Sequence, residues 1–172
     1  MKKYFLLVLA AAAAFSCSGP LKEKKTFSLT NENVDILSKY VDYGVKHSGN
    51  VSYKVTEFNE YGPTWRYNED ELSLAGADSV IVSFKFKAET ISDSVLFVYS
   101  TESSIEANKD WQSSKFVNSD PSVEWQSIDL AFKLKGTQFA KEDLHSFYLW
   151  NIDKHNFYVD DVEISVIDIK EN

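Results

Sequence analysis

The chain has 172 residues, of which 44% are hydrophobic and 15% aromatic, and its formal net charge is -8. With six Gly, three Pro and one Cys, this composition excludes a disordered chain, a collagen-like chain and a disulfide-stapled miniprotein. The acidic balance argues against a nucleic-acid partner, because such affinity depends on neutralising phosphates with Lys and Arg.

The N-terminal segment has the pattern of an export signal. Lys2 and Lys3 precede an apolar run at 4–15. This run is too short to span a hydrocarbon core of roughly 30 Å, but it has the proportions of a signal-peptide core. We therefore predict that residues 1–16 are removed, which leaves 156 residues and takes the net charge from -8 to -10.

The residues at the predicted cleavage point, Ala14-Phe15-Ser16-Cys17, resemble the lipobox of bacterial lipoproteins. The resemblance implies that Cys17 is acylated and becomes the new N-terminus, so that the protein is held on the cell envelope. Because Ser18 rather than Asp follows Cys17, the outer membrane is the expected location. Residues 17–25 would then be a flexible tether. The alternative is an ordinary secretory signal that is cut after a small residue.

Beyond the tether, alternation of apolar and polar residues predicts short β-strands. The pattern is clearest at 80–87 and 126–134, and the run 94–99 is apolar on both faces, which predicts a central strand. Further strands are predicted at 26–29, 51–58, 64–67, 111–116, 147–150 and 157–169. Short helices are predicted only at 33–40 and 140–144. Eight to ten strands separated by turns favour an all-β, antiparallel β-sandwich in a single domain at 26–170.

Three segments, in order, resemble galactose-binding-like jelly rolls, a group that includes many carbohydrate-binding modules. They are the turn and strand at 45–55, the strand at 125–132, and the closing strands at 147–151 and 157–164. The resemblance implies a jelly-roll fold and non-catalytic glycan binding. It also implies that Asp160, the first Asp of the closing motif, helps to bind a structural calcium ion, and that Trp125 is a packing residue.

The two neighbouring carboxylates at 160 and 161 are predicted to lie on opposite faces of a strand, so they cannot act together as an acid and a base. Asp160 shares its parity with apolar residues and should lean towards the core. A buried carboxylate needs a partner. From the residues alone, that partner is either a hard cation such as calcium or a set of backbone amides at the end of a sheet.

The segment 60–67 is the best candidate for a ligand-binding loop. Sugar rings present C–H faces that pack on exposed aromatic rings, and charged groups beside the rings can bind the hydroxyls. The segment supplies Tyr61, Trp65 and Tyr67, together with Arg66. Trp65 and Tyr67 share strand parity, so we expect them side by side on one face, roughly 7 Å apart. The alternative is that these aromatics belong to the core.

Catalysis has little support in the sequence. No G-x-S-x-G, H-E-x-x-H or phosphate-binding loop is present, and we predict that the protein is not an enzyme. We expect the three histidines to lie on the surface and the acidic cluster at 69–71 to form a solvated loop. The sequence therefore favours a glycan-binding lipoprotein. The alternative is a structural lipoprotein that binds other envelope proteins through the same sandwich.

Overall fold

Two antiparallel β-sheets pack face to face in the part of the chain that the structure describes. The structure is a computed structural model and describes residues 22–28, 38–88, 95–103, 110–116, 124–134 and 137–169. Its strands are β1 (Lys22–Ser28), β2 (Val41–Asp42), β3 (Ser52–Val55), β4 (Tyr61–Asn68), β5 (Ser79–Ala88), β6 (Val95–Glu102), β7 (Asp110–Phe116), β8 (Gln126–Lys133), β9 (Leu144–Asn151) and β10 (Phe157–Ile169). Among the described residues, one short helix, α1 (Glu69–Leu72), and one turn of 3-10 helix (Ser38–Tyr40) accompany these strands.

The two sheets differ in size. The six-stranded sheet has the order β2-β3-β10-β5-β8, with β1 also paired to β10. The four-stranded sheet has the order β4-β9-β6-β7. β3 pairs with the first half of β10, and β1 pairs with its second half. The predicted antiparallel β-sandwich is therefore confirmed.

The core lies between the sheets because each strand buries alternate side chains. Along β5, every second residue from Val80 to Ala88 is buried. Phe84 of β5 meets Phe97 of β6 across the interface, with ring centroids 5.4 Å apart. The other fully buried large side chains of this core include Phe86, Tyr99, Phe132, Phe147, Leu149 and Phe157. Burial of this aromatic area is the main stabilising contribution to the fold.

The central position predicted for the run 94–99 is confirmed, since β6 lies between β9 and β7. Val98 points away from the interface between the sheets, yet it is fully buried. The outward residue Val98 is therefore buried within the sheet, whereas its outward neighbour Leu96 is only partly buried.

The helix predictions are corrected. Residues 140–144 form a turn that leads into β9, not a helix. Of the segment 33–40, only 38–40 is described, and it forms a single 3-10 turn. Instead, α1 forms within the acidic cluster that was expected to be a solvated loop. The carboxylate of Glu71 accepts a hydrogen bond from the backbone amide of Asn68 at 2.7 Å, which satisfies a free donor at the start of the helix.

The boundary of the predicted tether is also corrected. β1 begins at Lys22 and pairs along β10, so the strand includes the last four residues of the segment 17–25. The signal segment and Cys17 lie outside the described residues. Among the described residues, no helix is long and apolar enough to cross a membrane.

Candidate functional site

The outer face of the four-stranded sheet carries an open cleft of about 380 Å³. All four strands of the sheet contribute to it. The residues that line the cleft are Tyr61, Thr64 and Arg66 of β4, Ser146 and Tyr148 of β9, Ser100 and Glu102 of β6, and Trp111 of β7.

The strand register explains why a depression forms at this place. One row of opposed residues crosses the sheet from one edge strand to the other. The row consists of Arg66, Ser146, Ser100 and Trp111. Because the two central positions are serines and the two edge positions are long side chains, the middle of the row forms a floor between two walls. The row spans three strand spacings, or roughly 14 Å.

Aromatic rings form one end of the cleft, at Tyr61, and the wall on the β7 side, at Trp111, opposite Arg66. Tyr61 stacks on Trp150 with ring centroids 6.0 Å apart, and it meets Tyr148 edge-on at 6.1 Å. On the opposite wall, the indole N–H of Trp111 donates a hydrogen bond to the hydroxyl of Tyr148 at 3.3 Å. Tyr61 is 47% exposed and Trp111 is 48% exposed. These contacts fix the orientation of the rings, and about half of the surface of Tyr61 and of Trp111 stays free to contact a ligand.

The floor of the cleft contains a hydroxyl without a hydrogen-bond partner among the described residues. Ser146 is 3% exposed, and its Oγ is buried and unsatisfied. Leaving a buried hydroxyl unpaired costs about 1–3 kcal/mol. Such a group in a cleft floor points to a ligand that supplies the missing hydrogen bond.

Among the described residues, one cation and one anion line the cleft, Arg66 and Glu102. They lie on β4 and β6, on either side of Ser146. Partial desolvation and the neighbouring Glu60 raise the pKa of the Tyr61 phenol, so this ring is neutral at physiological pH. The cleft therefore offers hydroxyl, carboxylate, guanidinium and neutral aromatic groups to one ligand.

The predicted aromatic platform on β4 is wrong, because two of its residues belong to the inner face. Trp65 is buried, stacks on Phe97 at 6.3 Å and meets Tyr53 edge-on at 5.7 Å. Tyr67 is half-buried and packs against the same core. Trp65 and Tyr67 do share a face, as expected, but that face is covered by the six-stranded sheet.

Tyr61 has the same parity as Trp65, yet it faces the cleft. The reason is a β-bulge: three residue steps from Tyr61 to Thr64 lie opposite only two steps on β9. An extra residue reverses the face of everything before it. Gly62 lies within this bulge, and a Cβ there would approach the side chains of Leu149 and Val55 to 3.0 Å. Of the four predicted ligand-binding residues, the structure thus brings Tyr61 and Arg66 into the cleft.

Asp160, the predicted calcium ligand, is buried as expected and accepts three backbone hydrogen bonds. Its Oδ2 accepts from the amides of His47 at 2.7 Å and Ser48 at 3.1 Å, and its Oδ1 accepts from the amide of Asp161 at 2.8 Å. These are contacts of the second alternative, a carboxylate bound by amides. Amide donors repel a cation, and the described residues include no group of three His, Cys, Asp or Glu that could hold a metal ion. The observed contacts of Asp160 are those of a carboxylate bound by backbone amides, and the calcium expectation stays a prediction.

The expectation that Asp160 and Asp161 act on opposite faces is wrong. Asp161 has a positive φ of 48° and lies at a bulge in the pairing of β10 with β5, which turns its side chain towards the same turn. There its carboxylate accepts one hydrogen bond from the Ser48 hydroxyl and lies 2.6 Å from His47 Nδ1. Trp125 packs edge-on against His47 at 5.8 Å. The three segments that carry the family resemblance therefore meet in space, as one structural cluster.

Sequence reasoning missed a buried polar cluster behind the cleft floor. His145 is fully buried rather than on the surface, and its Nε2 lies 2.8 Å from Glu69 Oε2. Its Nδ1 lies 3.1 Å from the hydroxyl of Tyr99, so the buried imidazole is held between a carboxylate and a phenol. No substrate reaches His145 or Tyr99, because neither side chain has exposed surface.

Five of the cleft residues also escaped the sequence reasoning: Ser100, Glu102, Trp111, Ser146 and Tyr148. The signal that could have found Tyr148 is the parity of β9, in which Ser146, Tyr148 and Trp150 alternate with the apolar Phe147 and Leu149. For Trp111, the corresponding signal is a tryptophan among the polar residues of β7. Neither signal shows that the two strands border one cleft.

The fold is an antiparallel β-sandwich similar to that of solved carbohydrate-binding modules. The chain is similar to the CBM22-1 xylan-binding domain from Paenibacillus barcinonensis Xyn10C, with a TM-score of 0.51 and 13% identity over 90% of this chain and 89% of that domain. The CBM22-1-CBM22-2 tandem domain of the same protein gives 0.51 and 14% over 91% of this chain and 44% of the tandem. CBM27-1 from Caldicellulosiruptor saccharolyticus, solved with mannohexaose, gives only 0.41 and 14%, over 81% and 96%. The sequence matches no protein-family model and no curated protein. At these identities the likeness establishes the fold.

Proposed function

We propose that this protein is a non-catalytic glycan-binding domain, and that the cleft on its four-stranded sheet is the binding site. The observation that carries the proposal is the Ser146 hydroxyl, which is buried and has no partner among the described residues, in the floor of a cleft flanked by exposed aromatic rings. A ligand for this place must supply a hydrogen bond at the floor and an apolar surface at the walls.

A sugar chain meets both requirements. The C–H faces of its rings pack on Tyr61 and Trp111, both about half-exposed. Its hydroxyls pair with the Ser146 hydroxyl and with the charged ends of Arg66 and Glu102. The width of the row, roughly 14 Å across three strand spacings, accommodates a chain rather than a single ring. The likeness to a xylan-binding domain supports the same class of ligand.

We further propose that the domain is attached to the outer membrane by lipid on Cys17. The support is the short apolar run that ends at Ser16-Cys17. Cys17→Ser should release the protein from the membrane fraction of cells that express it. If the variant sediments with membranes to the same extent as the natural chain, the lipid attachment is refuted.

The binding proposal is tested by measuring the glycan affinity of paired variants. A glycan array on the soluble chain from residue 19 identifies a ligand, and titration calorimetry measures its Kd. We expect Tyr61→Ala and Trp111→Ala each to weaken binding about tenfold, or roughly 1.4 kcal/mol. Tyr43→Ala is the control, because Tyr43 is 72% exposed but lies outside the cleft.

Ser146→Ala provides a second, independent test. Removing an unpaired buried hydroxyl leaves the stability of the domain unchanged or slightly raises it, while the loss of its hydrogen bond to the ligand weakens binding about threefold to tenfold. An array without any bound glycan would instead favour the alternative function, a structural or protein-interaction lipoprotein. Equal affinities of the Tyr61→Ala, Ser146→Ala and Tyr43→Ala variants would place the glycan site elsewhere on the domain.

A further inference from the structure

We infer that the lipid-attached domain stands with one particular end against the bilayer, and that this orientation leaves the cleft open. The inference rests on the lipid attachment of Cys17 proposed above. The end of the sandwich that meets the bilayer is the one where β1 begins and β10 ends, which we call the β1 pole. The register places Lys22 opposite Ile169. The backbone amide of Asp78 joins this pole by donating to the carbonyl of Ile167 at 3.1 Å.

The opposite end of the sandwich is the hairpin pole, formed by the turns at 56–60 and 151–156. The side-chain amide of Asn151 ties the two turns together by donating to the carbonyls of Thr56 at 3.2 Å and Asn59 at 3.0 Å. This pole exposes two apolar side chains, Phe58 at 86% and Ile152 at 43%. By composition alone, it is the end that a bilayer would attract.

The length of β10 separates the two poles. β10 has 13 residues, and a strand rises about 3.3 Å per residue, so the poles are roughly 40 Å apart. Phe157, at the hairpin end, pairs with Val55 and Ala88, whereas Ile169, at the other end, pairs with Lys22.

The tether is too short to allow the hairpin pole to reach the lipid end-on. Cys17 and Lys22 are five residue steps apart, and an extended chain spans at most about 3.6 Å per step, or about 18 Å. End-on insertion of Phe58 and Ile152 would hold Lys22 roughly 40 Å from the surface. The reach of the chain, rather than hydrophobicity, therefore decides which pole meets the bilayer.

The position of β1 also keeps the cleft away from the bilayer. β1 belongs to the six-stranded sheet, whereas the cleft opens on the outer face of the other sheet. Lying flat on that face would press lipid over Arg66 and Glu102 and remove water from two charges, which costs free energy. A domain that stands on the β1 pole avoids this cost and presents the cleft to ligands that approach along the membrane surface.

The orientation is tested on the mature chain coupled through Cys17, its only cysteine, to a maleimide lipid in nanodiscs that carry a gadolinium-labelled headgroup. We expect paramagnetic broadening of the backbone amides of Asp78 and Asp168 at the β1 pole. The amides of Phe58 and Ile152 should stay sharp, and so should that of Trp111 in the cleft. Inserting a flexible segment of about 20 residues after Cys17 should abolish this gradient, because its mean span is about 25 Å.

Three broadening patterns would overturn the inferred orientation. Broadening confined to Phe58 and Ile152, or at Trp111, overturns the inferred orientation, as does uniform broadening that the longer tether leaves unchanged. Because the lipid is coupled chemically, a Cys17 that is not acylated in cells refutes the proposed attachment and not the geometry. Glycan affinity in the nanodisc should equal that of the soluble chain within about twofold. Loss of affinity only on the nanodisc would show that the bilayer covers the cleft.

Discussion

Two tryptophans on opposite faces of the four-stranded sheet offer a direct test of the structure. Trp65 is 6% exposed, whereas Trp111 is 48% exposed. Trp65→Ala removes a ring that stacks on Phe97 and contacts Tyr53, and it leaves a large cavity in a close-packed core. Truncating a buried Trp to Ala costs about 3–5 kcal/mol of the free energy of unfolding. For a domain of this length, 1 kcal/mol lowers Tm by about 2–4 °C, so we expect a decrease of about 6–20 °C.

Trp111→Ala is the matched control, since it makes the same chemical change on the outer face. Trp111 contributes one hydrogen bond, to Tyr148, and half of its surface is already in water. We expect a loss of about 1 kcal/mol, and thus a decrease in Tm of about 2–4 °C.

Urea unfolding followed by far-ultraviolet circular dichroism measures both variants without depending on the fluorescence of the removed residue. The denaturation midpoint of Trp65→Ala should fall well below that of Trp111→Ala, with similar slopes. Equal losses for the two variants, or a Trp65→Ala domain as stable as the natural one, would refute the assignment of faces. A shift of one residue in the register of β4 would exchange the two faces.

Two further predictions concern stability. Asp160→Ala should lower the free energy of unfolding by about 3 kcal/mol, because three backbone amides lose a charged acceptor. If calcium is bound as the family resemblance implies, EDTA should also lower the Tm of the natural chain. An unchanged Tm would rule the ion out. Burial raises the pKa of Tyr53 and Tyr99 above the ordinary value of 10.0. The free energy of unfolding should therefore be unaffected by these phenols below pH 10 and should fall as pH rises further, by at most about 1.4 kcal/mol per pH unit for each phenol. Tyr99→Phe should make this fall less steep in urea titrations carried out at several pH values. An unaltered steepness would contradict the burial of the Tyr99 phenol.

The sequence by itself determined most of the strands and the class of fold. Alternation along 80–87 and 126–134 reports burial directly, because successive side chains of a strand point to opposite faces. β10 was predicted with its observed bounds, 157–169. The run 94–99, apolar on both faces, indicated the central position that β6 takes between β9 and β7. These features are local, so a single segment contains the information.

Only the tertiary structure decided which face of each strand became the binding surface. Trp65 and Arg66 are neighbours in sequence, and nothing within β4 shows that the six-stranded sheet covers the side of Trp65. The bulge that turns Tyr61 outwards depends on how β4 pairs with β9. Likewise, the bulge in β10 turns Asp161 towards a turn more than a hundred residues earlier in the chain.

The cleft itself depends on the same long-range pairing. Ser146 is a floor residue because Arg66 and Ser100 lie on either side of it, and each comes from a distant segment. The pairing of His145 with Glu69 also joins residues that are 76 positions apart. Alternation records whether a side chain is buried, but the register between strands determines which side chains meet. That register is set by the packing of the whole sandwich, which no single strand contains.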